Sequence, residues 1–148
     1  MEPRLDYRKF SPEALQALRS LEQYIAGCGL DHKFLHLLKL RASQINGCAF
    51  CIDMHWRDLV KLDVDPRHLN ALAGWREAPF FTDRERAALN WAEAVTSRSH
   101  HATNDDEFAK LKNDFSDEEI AELGFVIANI NAWNLLNLGF RNPVPERA

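Results

Sequence analysis

The chain has 148 residues, a net charge of −4, and 46% hydrophobic against 27% charged residues, a balance that fits one ordinary globular domain with a real core. Without a basic cluster it has no pull toward nucleic acid or an anionic membrane, and the charged start MEPRLDYRKF is no signal-peptide core. Nor does any apolar run read as long enough to span a bilayer. We therefore expect a cytoplasmic protein that binds neither nucleic acid nor membrane. Its three cysteines should be mainly reduced, so that a close pair serves catalysis or metal binding rather than stapling.

Helix signals dominate the chain, and no segment keeps the alternation of a strand. Ser11-Pro12-Glu13 places a cap and a first-turn proline before a helix over Ala14–Ala26, closed by Gly27 and Gly29. Asp31 caps a second helix, carried by Leu35, Leu38, Leu40 and Ala42 until Asn46-Gly47 interrupts it. A third begins near Cys48 and fades around Leu62, and Asp65-Pro66 starts a short fourth that Gly74 and Pro79 end. Thr82-Asp83-Arg84-Glu85 has capping-box spacing and opens a helix to about Ser97. A polar loop follows over Arg98–Thr103, where His100-His101 read as exposed loop residues rather than metal ligands. Asn104 caps a short helix to Asn113. A second capping box, Ser116-Asp117-Glu118-Glu119, opens a long apolar helix to about Leu138, and the tail from Asn142 onward reads as loose. The expected fold is all-α, a single domain over residues 1–148 of about six to seven helices with a helical-hairpin core.

The last helix has Ile120, Leu123, Phe125, Val126, Ile127, Ile130, Trp133, Leu135, Leu136 and Leu138 and little polar face. A helix apolar nearly all round must be buried on most sides, so a subunit interface is expected to take the surplus. Asn129, Asn131, Asn134 and Asn137 then need partners across that interface or in the core. Trp91 and Trp133 read as core, and Cys28 as a lone buried cysteine.

The chemistry concentrates at Cys48, Cys51 and His55. At about 100° per residue, the three fall within an arc of about 60° on one helical face. The free N–H groups and positive dipole end of a helix N-terminus favour a thiolate there, and an imidazole one turn on can move protons. Three chemistries fit this spacing: a redox relay, a metal site with His36 as a conceivable fourth ligand, and two inert cysteines beside a packing histidine. Haem attachment is excluded, because Ile52 rather than histidine follows the second cysteine. Phe50 and Trp56 are candidates for the wall of an apolar pocket as well as for core or subunit packing.

The run Lys39-Leu40-Arg41-Ala42-Ser43-Gln44-Ile45-Asn46-Gly47-Cys48-Ala49-Phe50-Cys51-Ile52-Asp53-Met54-His55 closely resembles the signature of the carboxymuconolactone decarboxylase-like superfamily, in its alkyl hydroperoxidase D-like branch. Leu5-Asp6-Tyr7, Trp75-Arg76-Glu77-Ala78-Pro79-Phe80-Phe81 with Arg84-Glu85-Arg86-Ala87-Ala88-Leu89, and Ile130-Asn131-Ala132-Trp133-Asn134 extend the likeness over nearly the whole chain. The resemblance implies an all-helical fold in trimers or hexamers and a thiol-dependent peroxidase of organic hydroperoxides, recycled by an external dithiol and needing no metal or organic cofactor. It implies Cys51 as the peroxidatic cysteine, Cys48 as the resolving one and His55 as part of the proton relay, and it counts against zinc. Decarboxylase members lack the cysteine pair, which argues against lactone decarboxylation here. One departure stands out: His36 occupies the place of the glutamate usual in that relay. Either His36 substitutes, or it is a partly buried helix histidine with no catalytic role and Glu22, Tyr24 or Tyr7 reaches in from elsewhere. A non-enzymatic redox sensor and a general thiol–disulfide reductase are the alternative functions.

Overall fold

The structure, a computed structural model, describes residues 2–97 and 103–146. The described residues form eight α-helices and one 3₁₀ turn, with no strand. In chain order these are α1 (Tyr7–Phe10), α2 (Pro12–Ala26), α3 (His32–Asn46), α4 (Ala49–Lys61), α5 (Pro66–Asn70) with the 3₁₀ turn Ala71–Gly74, α6 (Asp83–Thr96), α7 (Asp105–Leu111) and α8 (Asp117–Phe140). The helix beyond those expected is α1, a single turn too short to register as periodicity, held by the Asp6 carboxylate at the Arg8 amide. His100 and His101, with the rest of the expected loop before Thr103, lie outside the described residues.

Most helix starts follow from the capping residues. Both capping boxes form, at Thr82/Glu85 and at Ser116/Glu119, and the carboxylates of Asp31 and Asp65 accept from Phe34 N and Arg67 N. Ser11 makes no side-chain cap bond, so Pro12 at the first helical position opens α2 without one. α7 ends at Leu111, short of Asn113, because the backbone tightens into turns there, with Asn113 N on Lys110 O and Asp114 N on Leu111 O.

α3 is the centre of the fold. It packs on α4, α6 and α8, and from Phe34 to Ser43 only His36 and Arg41 escape full burial. Leu35, Leu38 and Leu40 of α3 join Leu59 of α4, Leu89 and Ala92 of α6, and Leu123, Val126 and Ile127 of α8 in one apolar core. α3 and α4 make the expected helical hairpin through Gly47, whose φ of +70° lies in the left-handed region. Its N–H turns back to Gln44 O at 3.2 Å, and the next N–H, of Cys48, reaches Ser43 O at 3.0 Å, closing α3 and setting the start of α4.

α8 corrects one expectation. Its 24 residues are long and apolar enough, by length and composition alone, to cross a bilayer. Ile120, Leu123, Val126, Ile127 and Ile130 nevertheless bury themselves in the core, while Phe125, Leu135 and Leu138 are 52%, 56% and 41% exposed. Substituting Gly47→Ala should destabilise the fold by about 1–2 kcal/mol, the cost of a Cβ in the left-handed region, since open space around that position removes any steric contribution. A urea titration monitored by circular dichroism measures it; an unchanged midpoint contradicts a φ of +70° at this turn.

Candidate functional site

The α3–α4 turn fixes the two cysteines differently. Cys48 is the N-cap of α4, with extended backbone, and so stands just outside the helix rather than on its face. Cys51, in the first turn, sends its N–H toward Cys48 Sγ at 3.4 Å, and only Cys51 and His55 share a true helical face. The two sulfurs are joined as a disulfide with a Cα–Cα separation of 5.4 Å, and both residues are buried.

Behind Cys51 stands a residue that spacing around the cysteines does not reveal. Asn137 of α8, itself buried, donates from Nδ2 to Cys51 Sγ at 3.2 Å. Its Oδ1 accepts from Asn142 Nδ2 at 2.5 Å and from Tyr7 OH at 3.5 Å, and these two donors turn its amide nitrogen toward the sulfur. The other asparagines of α8 also find partners inside the chain. Asn131 and Asn134 both accept from Asn46 Nδ2 at 2.8 Å, Asn134 donates to Ser43 Oγ at 3.0 Å, and Asn129 donates to Glu22. The available signal was the run of asparagines along an otherwise apolar helix, which demands buried partners.

His55 is 3% exposed, and its Nδ1 lies 3.1 Å from Nδ1 of His36 on α3. Its Nε2 is buried with no partner among the described residues. Burial above all, with the nearby His36 and the Lys39 cation, pushes the His55 pKa down to about 3. His36 is also lowered, first by burial and then by Lys39, with Asp58 and Glu22 pulling the other way. Both rings are therefore neutral at physiological pH.

A cavity of about 350 Å³ opens beside this group. Cys51, His55 and His36 line it together with Tyr7, Glu22, Phe50, Met54, Asp58 and Trp133. Of the residues considered as replacements for a relay glutamate, Glu22 and Tyr7 reach this cavity. Tyr24 does not: it is 56% exposed and donates to Glu122 Oε1 at 2.6 Å. Glu22 is committed to the buried ammonium of Lys39 and to Asn129. Phe50 walls the cavity as anticipated, whereas Trp56 points away and is 41% exposed. Trp133, expected in the core, is a half-buried cavity wall, because the α8 face that carries it meets the open space between α2 and α4. Trp91 and Cys28 are partly buried against the core.

Cys48 faces elsewhere. It lines a second, wider groove of about 740 Å³, bounded by Gly47–Phe50 and the tail from Arg141 to Glu146. The arrangement thus sets the two buried members of a redox-capable pair against different hollows, Cys51 beside the neutral imidazoles and Cys48 beside the tail.

Residues 12–94 match the carboxymuconolactone decarboxylase family. The chain is 30% identical over 142 residues to the uncharacterized protein YdfG of Bacillus subtilis (strain 168), covering 96% of this chain and 97% of that one. A crystal structure from Agrobacterium tumefaciens, of a protein of unknown function described as a candidate antioxidant defence protein AhpD, superposes with a TM-score of 0.93 at 45% identity, covering 97% and 99% of the two chains. The AhpD core of an uncharacterized peroxidase-related protein from Ralstonia eutropha JMP134 shares the fold at a TM-score of 0.82 and 20% identity, covering 94% of this chain and 74% of that one. The chain belongs to the carboxymuconolactone decarboxylase family and is AhpD-like within it.

Proposed function

We propose that this protein is a thiol-dependent peroxidase that reduces organic hydroperoxides. The observation that carries the reading is Cys51, disulfide-bonded to Cys48, lining the same cavity as the neutral imidazoles of His55 and His36. In the reduced protein the Cys51 proton goes to the less buried imidazole, His36, because a His55 of pKa about 3 is too weak a base to hold it. The thiolate is favoured by the Asn137 amide and by the positive end of α4. The thiolate attacks the distal peroxide oxygen, the O–O bond breaks, and the alkoxide leaves as alcohol with the proton held by the imidazole. Cys51 is then a sulfenic acid. The Cys48 thiolate attacks its sulfur, hydroxide leaves and is protonated to water, and the disulfide forms. An external dithiol reduces that disulfide by exchange, which suits a reducing compartment such as the cytoplasm.

The apolar lining from Phe50, Met54, Ile130 and Trp133 favours an alkyl hydroperoxide over hydrogen peroxide. The chain works as a homo-oligomer, a trimer or hexamer, with the exposed Phe125, Leu135 and Leu138 of α8 supporting that assembly.

Replacing Cys51 by Ser should abolish hydroperoxide consumption in the presence of a dithiol reductant. Cys48→Ser should keep a single round of oxidation, seen as a sulfenic acid trapped by a dimedone-type probe, while losing disulfide formation. Undiminished turnover in the Cys51 variant defeats the assignment. Oxidation that changes oligomer size without turnover supports a sensor instead.

His55 also makes stability depend on pH. Its folded pKa is depressed to about 3 from 6.5, so its contribution is complete above about 6.5 and is lost as pH falls toward about 3, where only the unfolded chain takes up the proton. Between about pH 7.5 and about pH 5, above the range in which carboxylates titrate, the urea midpoint should fall, and less so in His55→Asn. Equal slopes in the two proteins argue against a buried neutral His55. For the assembly, analytical ultracentrifugation should give a species of three or more chains; a monomer throughout the micromolar range rejects it.

A further inference from the structure

The pairing of His36 with His55 leaves an acidic neighbour that the peroxidase chemistry does not use. Asp58 lies one turn beyond His55 on α4, and donor atoms of His36, His55 and Asp58 all fall within 4.8 Å of one another. The two Nδ1 atoms stand 3.1 Å apart. Ligands about 2.0–2.2 Å from a tetrahedral zinc ion are about 3.3–3.5 Å from each other, so the nitrogens are nearly at ligand spacing and the carboxylate needs a swing of about 1 Å. The Asp58 side chain has room for that, being 32% exposed and bound, among the described residues, only to Lys61 Nζ at 3.1 Å. All three groups line the cavity, which leaves an open fourth position for water.

We propose that His36, His55 and Asp58 form a binding site for a borderline divalent cation of the zinc class, and that a bound ion withdraws both imidazoles from proton transfer. The ligand set differs from one built on the cysteines, whose sulfurs are committed to each other in the disulfide form. Two neutral nitrogens and one carboxylate suit zinc, with copper and nickel as competitors of the same class, and disfavour magnesium or calcium, which require oxygen donors. The nearby Lys39 ammonium opposes a cation, but its ion pair with Glu22 cancels most of that charge. The ion therefore acts as a reversible brake on Cys51 activation, and this second part rests on the peroxidase reading.

The binding experiment uses the full chain in its disulfide form, so that thiols contribute no ligands. Calorimetry with zinc should show one ion per chain, and cobalt in its place should give the visible absorption bands of a four-coordinate site. Asp58→Asn should weaken binding by more than about tenfold, a loss larger than the smaller values found for outer-shell partners, and His36→Gln should abolish it. Because Asp58 is partly exposed, its variant carries the test even if His36→Gln fails to fold. No saturable binding, or equal binding in both variants, overturns the site. In the reduced enzyme, zinc should stop hydroperoxide consumption and Asp58→Asn should relieve that inhibition. Turnover unaffected at saturating zinc overturns the brake. A protein that binds zinc but consumes no hydroperoxide with or without it retains the site and loses the peroxidase reading instead.

Discussion

The geometry of the cysteine pair depends on how α8 grips the α3–α4 turn. Asn46, just before Gly47, donates to both Asn131 and Asn134, while Ser43 accepts from Asn134 and Cys51 accepts from Asn137. These bonds run between helices far apart in sequence, in a buried to half-buried region. Each is worth only about 0.5–1.5 kcal/mol net, but a buried amide left without a partner costs about 1–3 kcal/mol. That asymmetry makes one register of α8 against the turn much better than its neighbours. Sliding α8 by one residue would orphan several amides at once. The position of Asn137 behind Cys51 is therefore a consequence of the whole ladder, and Tyr7 and Asn142 lock its orientation.

Electrostatics in the cavity follow from what surrounds α3. A helix buried on most sides carries Lys39 and His36 inward, and neither can be charged there without support. The Lys39 charge is matched by Glu22 from α2. His36 and His55 lose theirs and lean on each other. Glu22 thus sits one helix away from the place where the resemblance puts a glutamate, and His36, noted at that place in the sequence, stands beside His55. In the proposed cation site these two nitrogen donors face each other beside Asp58.

A second polar knot holds the far side of α3. Glu93 on α6 receives Arg41 Nε at 2.6 Å, Trp75 Nε1 at 2.8 Å and Arg76 at 2.6 Å. These contacts draw its carboxyl below the usual range against a desolvation that alone would raise it. Arg41 belongs to the run resembling the family signature, as do Ser43 and Asn46. Much of that signature therefore holds the turn in place, and only Cys48, Cys51 and His55 carry groups suited to chemistry.

The sequence by itself determined the local structure. Capping boxes at Thr82 and Ser116, the Asp31 and Asp65 caps and the Gly47 interruption act within one turn of chain, so the helix order and the hairpin were legible. It also placed Cys51 and His55 on one face, since that follows from helical period alone. Three things required the tertiary structure. Cys48 became an N-cap rather than a face residue, Asn137 arrived at the Cys51 sulfur from 86 residues away with Tyr7 bonded behind it, and His36 met His55 while Glu22 met Lys39. Helical periodicity says which side of a helix a residue lies on. Which helix faces that side is decided by packing and by the need to satisfy every buried polar atom, and those contacts join residues that no local pattern connects.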